Sequence, residues 1–447
     1  MLMFPNVLKY SRRDPDAAHI VQDLFVLLLI AVVIVGAVTH QPIVAAMGAL
    51  ALVVTVIGRL WSRLSLEEVS HRREITQSHI FAGDEIELTI TLENRKPLPV
   101  PWIRVRDFIP DGLEIPEADT SYQQTLGGSE VTVTTSLGRY ERVRNRYRVL
   151  ARKRGYYRFG VAKLESGDLF GLYQSRREYT ETGPSIVVYP LALPLPDLYL
   201  PAARPVGDAR THVRLWADIN RPSGLREYRP GDPMKSVDWK ASARLQQMFV
   251  RTYDPSVSQY AVILLDATTT EHPWDGYVSD VLERTVTGAA SVAVRAVDLG
   301  YRIGLIANGV PTSEDARMVI PPAAGQGQLP EILKALAMVR PMTIRTIEEM
   351  IFGEAARSVP FGSTLVYISG IFKPGTIHAL TQLQSRGHPV LLMWAGQGEA
   401  PNPDGLNVID AREMFGGTSD DAMFKRPGAR PDVKGGPFAN PEGAQNG

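Results

Sequence analysis

The chain has no cysteine among its 447 residues. That absence excludes a disulfide, a thiolate nucleophile and Cys-ligated zinc, and it suits a reducing compartment. Neither sign of charge is in excess: Lys+Arg and Asp+Glu are both 48, a net charge of zero. A nucleic-acid binder usually carries a basic excess or stripe, so the balance argues against that class. No Gly-x-x-x-x-Gly-Lys-Ser/Thr loop occurs, so the chain does not read as an NTPase. Gly325-Gln-Gly-Gln328 is only a weak echo, in a loop before a helix. The eight histidines lack His-Glu-x-x-His zinc spacing, and there is no Gly-x-Ser-x-Gly elbow for a nucleophilic serine.

Long apolar runs are present, and they sit at the N-terminus. Leu24–Val38 is wholly apolar, Thr39-His-Gln-Pro42 breaks it, and Ile43–Ile57 is apolar apart from Thr55. Each run is roughly 15 residues, a little under the ~20 that cross a bilayer. Ile20–Val21 and Leu60–Trp61 extend them, with Gln22, Asp23 and Arg59 near the interfaces. Two runs with no polar face need apolar surroundings on every side. Residues 1–65 therefore read as an N-terminal segment with two transmembrane helices. Lys9, Arg12 and Arg13 precede the first run, and Arg59, Arg63, Arg72 and Arg73 follow the second, while the connecting loop has no Lys or Arg. The positive-inside rule then places both termini and the soluble body in the cytoplasm.

Residues 66–190 change to a period of two. Glu85–Leu92, Val131–Thr135 and Tyr147–Leu150 alternate apolar and polar residues, and turn clusters such as Ala82-Gly-Asp84 and Pro110-Asp-Gly112 separate them. Short strands at this spacing predict an antiparallel β-sandwich. Residues 191–223, rich in Pro, Ala and Gly, read as a linker. The tail, 416–447, has the Gly, Pro, Asp and Asn content of a disordered segment.

Residues 224–257 carry the densest motif: Gly224-Leu-Arg226-Glu-Tyr228-Arg-Pro-Gly231-Asp232-Pro233, then Asp238-Trp239-Lys-Ala-Ser-Ala-Arg244. Pro-Gly is a type II turn signal, and Ser236 is placed to N-cap a short helix. Arg and Trp anchor interfaces, so Arg226, Tyr228, Asp232, Asp238, Trp239 and Arg244 suit a partner-facing surface. They suit equally an internal network of caps and ion pairs. From 258 to 415 strands and helices alternate: strands at Ala261–Leu265, Tyr301–Ala307, Thr364–Ser369 and Pro389–Trp394, helices at Val278–Val297, Leu329–Met338, Ile344–Ala356 and Gly375–Ser385. That pattern predicts a doubly wound α/β sheet, whose ligands bind at the carboxyl ends of the strands. Asp266 stands at such an end, in Asp266-Ala-Thr268-Thr-Thr270.

These motifs resemble the domain of unknown function 58 family, over about Leu66–Trp394. The resemblance implies a C-terminal domain like von Willebrand factor A (vWA), in which Asp-x-Ser-x-Ser forms a metal-ion-dependent adhesion site. Asp266, Thr268 and Thr270 would then hold Mg²⁺, a hard cation that takes oxygen ligands. The chain departs from that pattern where a later strand commonly ends in Ser-Asp: here it ends Ile368-Ser369-Gly370. In the competing reading, Asp266 and Thr268 cap the following helix and hold its loop. The resemblance also implies a bacterial inner-membrane protein acting with a MoxR-type AAA+ ATPase. The expected function is a non-enzymatic, membrane-anchored adaptor acting in protein assembly or envelope-related processes. The alternatives are a hydrolase using the strand-end cleft and an extracytoplasmic adhesion module.

Overall fold

A computed structural model describes residues 15–116, 120–123, 128–169, 171, 173–179, 183–195, 200, 222–229, 234, 237–253, 259–355, 359–403 and 405–414. Most of the linker and the tail from 416 therefore lie outside the described residues, as do Gly231, Asp232 and Ser236. The chain divides into two compact units. One is Met1–Ser78, Glu85–Ala151 and Tyr157–Ile186; the other is His79–Asp84, Arg152–Tyr156 and Val187–Gly447.

The first unit begins with a helical hairpin, α1 (Pro15–Val38) and α2 (Pro42–Ser65). The turn is tight because His40 adopts a left-handed φ of 54°. The helices approach closely at glycine: a Cβ on Gly36 would lie 2.7 Å from the Ala45 backbone nitrogen. The residues α2 buries are small (Gly48, Thr55, Gly58, Ser62 and Ser65), while Leu27, Met47 and Leu50 are exposed. By length and composition α2 is apolar enough to cross a membrane, and the apolar stretch of α1, Asp23–Val38, is shorter. Asp23 and Arg59 form an ion pair at 2.8 Å. At the C-terminus of α2, whose last carbonyls have no helical partner, Lys96 Nζ donates to the carbonyls of Ser65, at 2.6 Å, and of Glu67. Arg177 donates to Leu66 O at 3.2 Å.

The rest of this unit is built on antiparallel strands. In chain order the strands from Val69 to Tyr189 are β1 (Val69–Ile75), β2 (His79–Phe81), β3 (Glu85–Asn94), β4 (Val100–Pro110), β5 (Leu113–Glu114), β6 (Thr120–Gln123), β7 (Gly128–Leu137), β8 (Arg142–Ala151), β9 (Gly155–Arg158), β10 (Ala162–Gly167), β11 (Gln174–Tyr179) and β12 (Ser185–Tyr189). Two sheets, β1-β3-β8-β5 and β11-β10-β4-β7-β6, share a core. The alternation read from Glu85–Leu92 is realised: β3 buries Ile86, Leu88, Ile90 and Leu92. Arg73 pairs with fully buried Asp107 and donates to Gly160 O at 2.7 Å.

The second unit draws in β2, which pairs in parallel with β12 from Val187↔His79 to Tyr189↔Phe81. Arg154 is also part of it. Its guanidinium pairs with Glu283 at 3.0 Å and donates to Leu336 O and Val339 O at 2.9 and 3.2 Å. A hairpin of β13 (Pro222–Glu227) and β14 (Phe249–Tyr253) flanks α3 (Trp239–Leu245). The main body is a mixed six-stranded sheet. To β13 and β14 the chain adds β15 (Tyr260–Leu265), β16 (Arg302–Ala307), β17 (Gly309–Pro311), β18 (Val319–Ala323), β19 (Val339–Thr343), β20 (Thr364–Ser369), β21 (Val390–Trp394) and β22 (Asn407–Asp410). The sheet order is β18-β16-β15-β20-β21-β22, parallel except for the edge strand β18. Strand order reverses between β15 and β20, which makes their carboxyl ends the switch-point crevice.

Helices cover both faces of this sheet. The helices α4 (Ser279–Asp298) and α5 (Gln328–Met338) share a core with Ile263, Leu265 and Ile368. On the other face α6 (Ile347–Met350) and the helix Pro374–Ser385 pack with Leu264, Tyr367 and Leu392. The helix expected over Ile344–Ala356 is shorter and irregular. Thr346 closes a capping box with Glu349, so helix starts at Ile347, and Ile351–Ala355 is π-helical.

Candidate functional site at the carboxyl end of the sheet

The backbone leaves β15 through Asp266, whose amide donates to Ile368 O at 3.0 Å across the switch point. Its carboxyl is 2% exposed and meets three donors. Thr268 N donates to Oδ1 at 3.0 Å, Asn308 Nδ2 donates to Oδ1 at 2.8 Å, and Tyr367 Oη donates to Oδ2 at 3.0 Å. Asn308 also accepts from Ala267 N through Oδ1 at 2.7 Å, so its amide ties the ends of β15 and β16 together. Burial pushes the Tyr367 phenol well above its ordinary pKa, with the Asp266 carboxyl beside it acting in the same direction. That phenol therefore stays a donor. Thr376, fully buried on the helix Pro374–Ser385, donates to Glu348.

The hydroxyls after Asp266 order a loop. Thr269 Oγ1 accepts from Val278 N at 3.0 Å, at the entrance to α4. Thr270 Oγ1 reaches His272 O at 3.1 Å and Gly276 O at 2.9 Å. The loop they close presents His272 stacked on Trp274, with ring centroids 4.6 Å apart and planes 12° apart. Trp274 is 79% exposed and Tyr277 59%. Beyond β20, an open cleft of about 500 Å³ is lined by Phe372, Pro374, Ile377, His378, Pro401 and Pro403.

This donor set does not fit a divalent cation. The Asp266 oxygens face hydrogen-bond donors, and the Thr270 hydroxyl is turned to carbonyls of its own loop. At Gly370, where the vWA pattern would have an acid, an added Cβ would overlap Val281 Cγ1. Among the described residues no group of three His, Cys, Asp or Glu side chains could hold a metal. The arrangement shares with the competing reading a strand-end carboxylate that holds a loop, but Asp266 and Thr268 do not cap α4, whose N-cap Val278 has no side-chain cap, and the hydroxyls that order the loop are those of Thr269 and Thr270. Sequence reasoning missed Asn308, Thr269 and Tyr367. Asn308 follows an apolar strand, Thr269 fills a position the metal motif leaves free, and Tyr367 reads as core.

The signature residues lie on a different element. Asp238 is an N-cap: its Oδ1 accepts from Lys240 N at 3.1 Å and Ala241 N at 3.0 Å. The cap falls here rather than on Ser236. Gly224 pairs with Thr252, and Arg226 with Val250, in the hairpin, and Tyr228 N donates to Met248 O at 2.8 Å. Arg226 and Arg244 are exposed, and Trp239 is 62% exposed. None of the residues of α3 is buried.

Residues 224–411 match the family model described as "Protein of unknown function DUF58". A curated relative, "Uncharacterized protein YeaD" of Bacillus subtilis (strain 168), is 24% identical over 266 residues, 60% of this chain and 61% of its own length. The chain thus spans about three fifths of the curated relative it matches. Among solved structures, a cohesin module of a Clostridium perfringens family 33 glycoside hydrolase is 12% identical, with 25% of this chain and 95% of that chain covered and a TM-score of 0.17. A non-cellulosomal cohesin of Archaeoglobus fulgidus is 15% identical, with 27% and 84% covered and a TM-score of 0.16. At those scores the likeness carries no argument.

Proposed function

Because the chain belongs to the DUF58 family of proteins of unknown function through residues 224–411, its role must be read from its own geometry, and we propose a non-enzymatic, membrane-anchored adaptor. Its six-stranded sheet is read as a vWA-like domain. Its hairpin is read as a two-pass anchor in a bacterial inner membrane, with both termini and the soluble body in the cytoplasm. Its partner is a MoxR-type AAA+ ATPase, and the processes served are protein assembly or envelope-related.

The observation that carries this reading is α3. A helix that buries none of its residues gains nothing from a core, yet it is capped by Asp238 and exposes Trp239 in its first turn and Arg244 in its last. Large exposed aromatics with arginine are what protein interfaces use as anchors. At the strand end, a carboxyl engaged by three donors supports a structural role over general acid–base work on a substrate. The apolar outer faces of α1 and α2 support the anchor.

Co-purification tests the reading. Tagged full-length chain, solubilised from its native membrane with ATP, is expected to retain an AAA+ ATPase, and Trp239→Ala is expected to lose it while remaining folded. Absence of any ATPase with the wild type would contradict the reading. Turnover of an ester or peptide substrate, lost with Asp266→Asn, would favour the hydrolase alternative.

A further inference from the structure

The loop between β15 and α4 has a chemistry of its own. From Ala267 to Glu283 the chain has no Lys or Arg, while Glu271, Asp275 and Asp280 are exposed. Among them stand the stacked His272–Trp274 pair and Tyr277, more than half exposed. The stack holds the indole in place without burying it, and the Thr269 and Thr270 hydroxyls hold the loop ends. An aromatic face of this size needs no exposure for folding, since the core beneath is closed by Ala267, Val281 and Leu282.

We propose that this loop is a docking surface for a basic, arginine- or lysine-bearing segment of a partner protein. An aromatic face attracts a cation through its quadrupole, and Glu271 and Asp275 on the loop, with Asp280 in the first turn of α4, raise the local concentration of a positive partner. The charge complementarity selects this occupant. An acidic segment or an anionic lipid surface would meet three like charges. The proposal deepens the adaptor reading and rests on it only in taking the partner to be a protein.

The test uses full-length protein in detergent micelles and two fluorescein-labelled probes, a (Gly-Arg)₅ peptide and a (Gly-Glu)₅ peptide, followed by fluorescence anisotropy. The wild type is expected to bind the arginine peptide in preference, with affinity falling as salt rises. Trp274→Ala with Tyr277→Ala should weaken binding at least about fivefold, the scale of two exposed cation–π contacts, and Trp274→Phe should recover part of it. Glu271→Gln with Asp275→Asn should weaken binding and flatten the salt dependence. All these side chains are exposed, and an unchanged thermal transition verifies the fold. Equal binding of both peptides, unaltered binding by the double aromatic variant, or tighter binding to vesicles containing phosphatidylglycerol than to the peptide would each overturn the proposal. If the aromatic variant binds normally while the ATPase is still lost with Trp239→Ala, the adaptor reading stands and the basic-segment chemistry falls. If the predicted peptide losses appear while no ATPase co-purifies, the loop chemistry stands and that partner falls.

Discussion

At the scale of single residues, Asp266 is a hydrogen-bond acceptor for three elements at once. Removing it takes the Oδ1 acceptor from the buried Asn308 amide and leaves the Tyr367 hydroxyl only the long contact to Ile371 O at 3.5 Å, and an unsatisfied buried polar group costs about 1–3 kcal/mol. Asp266→Ala should therefore lower stability by about 2–4 kcal/mol, and Tyr367→Phe, which removes one donor, by about 1 kcal/mol. Urea unfolding of the solubilised protein measures both. Mg²⁺ should leave the wild-type thermal transition where it is; a rise with Mg²⁺ that Asp266→Asn abolishes would restore the metal site. Gly370 supplies a second check. Gly370→Asp alone should destabilise by about 1–3 kcal/mol through overpacking against Val281, and Val281→Ala should relieve part of that cost in a double-mutant cycle. The position of Asp266 was legible in the sequence because an acid ended an apolar strand. Its hydrogen-bond partners were not, since Asn308 and Tyr367 are 42 and 101 residues away along the chain.

At the scale of elements, the strands and helices that bury one face were legible from periodicity. Thr364–Ser369 is the strand expected, and Gln328–Met338 and Pro374–Ser385 each start one residue before their expected ranges. Elements set by long-range pairing were not. Neither the antiparallel edge strand β18, with its two prolines, nor the short parallel pairing of β2 with β12 has a local signature. Arg154 illustrates the same limit. Nothing local marks this residue, which donates to carbonyls at the end of α5 and just past it and pairs with Glu283. Arg154→Ala is expected to destabilise the α/β unit by about 2–3 kcal/mol, since it uncovers both carbonyls and a carboxylate. The cap on α3 behaves differently. Asp238→Ala costs about 1 kcal/mol locally, but a helix with no buried residue contributes little to the global transition. Hydrogen exchange should accelerate at 239–245 with the unfolding midpoint almost unchanged.

At the scale of the whole molecule, the chain forms two units built on different principles, one of antiparallel sheets that begins with a hairpin of apolar outer faces, the other a mixed sheet covered by helices. The absence of cysteine makes the anchor easy to examine. A single cysteine at His40, in the turn between α1 and α2, should react with a membrane-impermeant maleimide added to intact cells, and one at Tyr140, exposed in the first unit, should react only after lysis. The reverse pattern would invert the topology and favour the envelope alternative. The central claim is that the family segment is a protein-docking surface, and site-specific photocrosslinking tests it most directly. With benzoylphenylalanine replacing Trp239 in the full-length chain in its native membrane, irradiation should yield an adduct with an AAA+ ATPase that is absent when the same group replaces Tyr140. No adduct at 239, or an equal adduct at 140, would contradict the account.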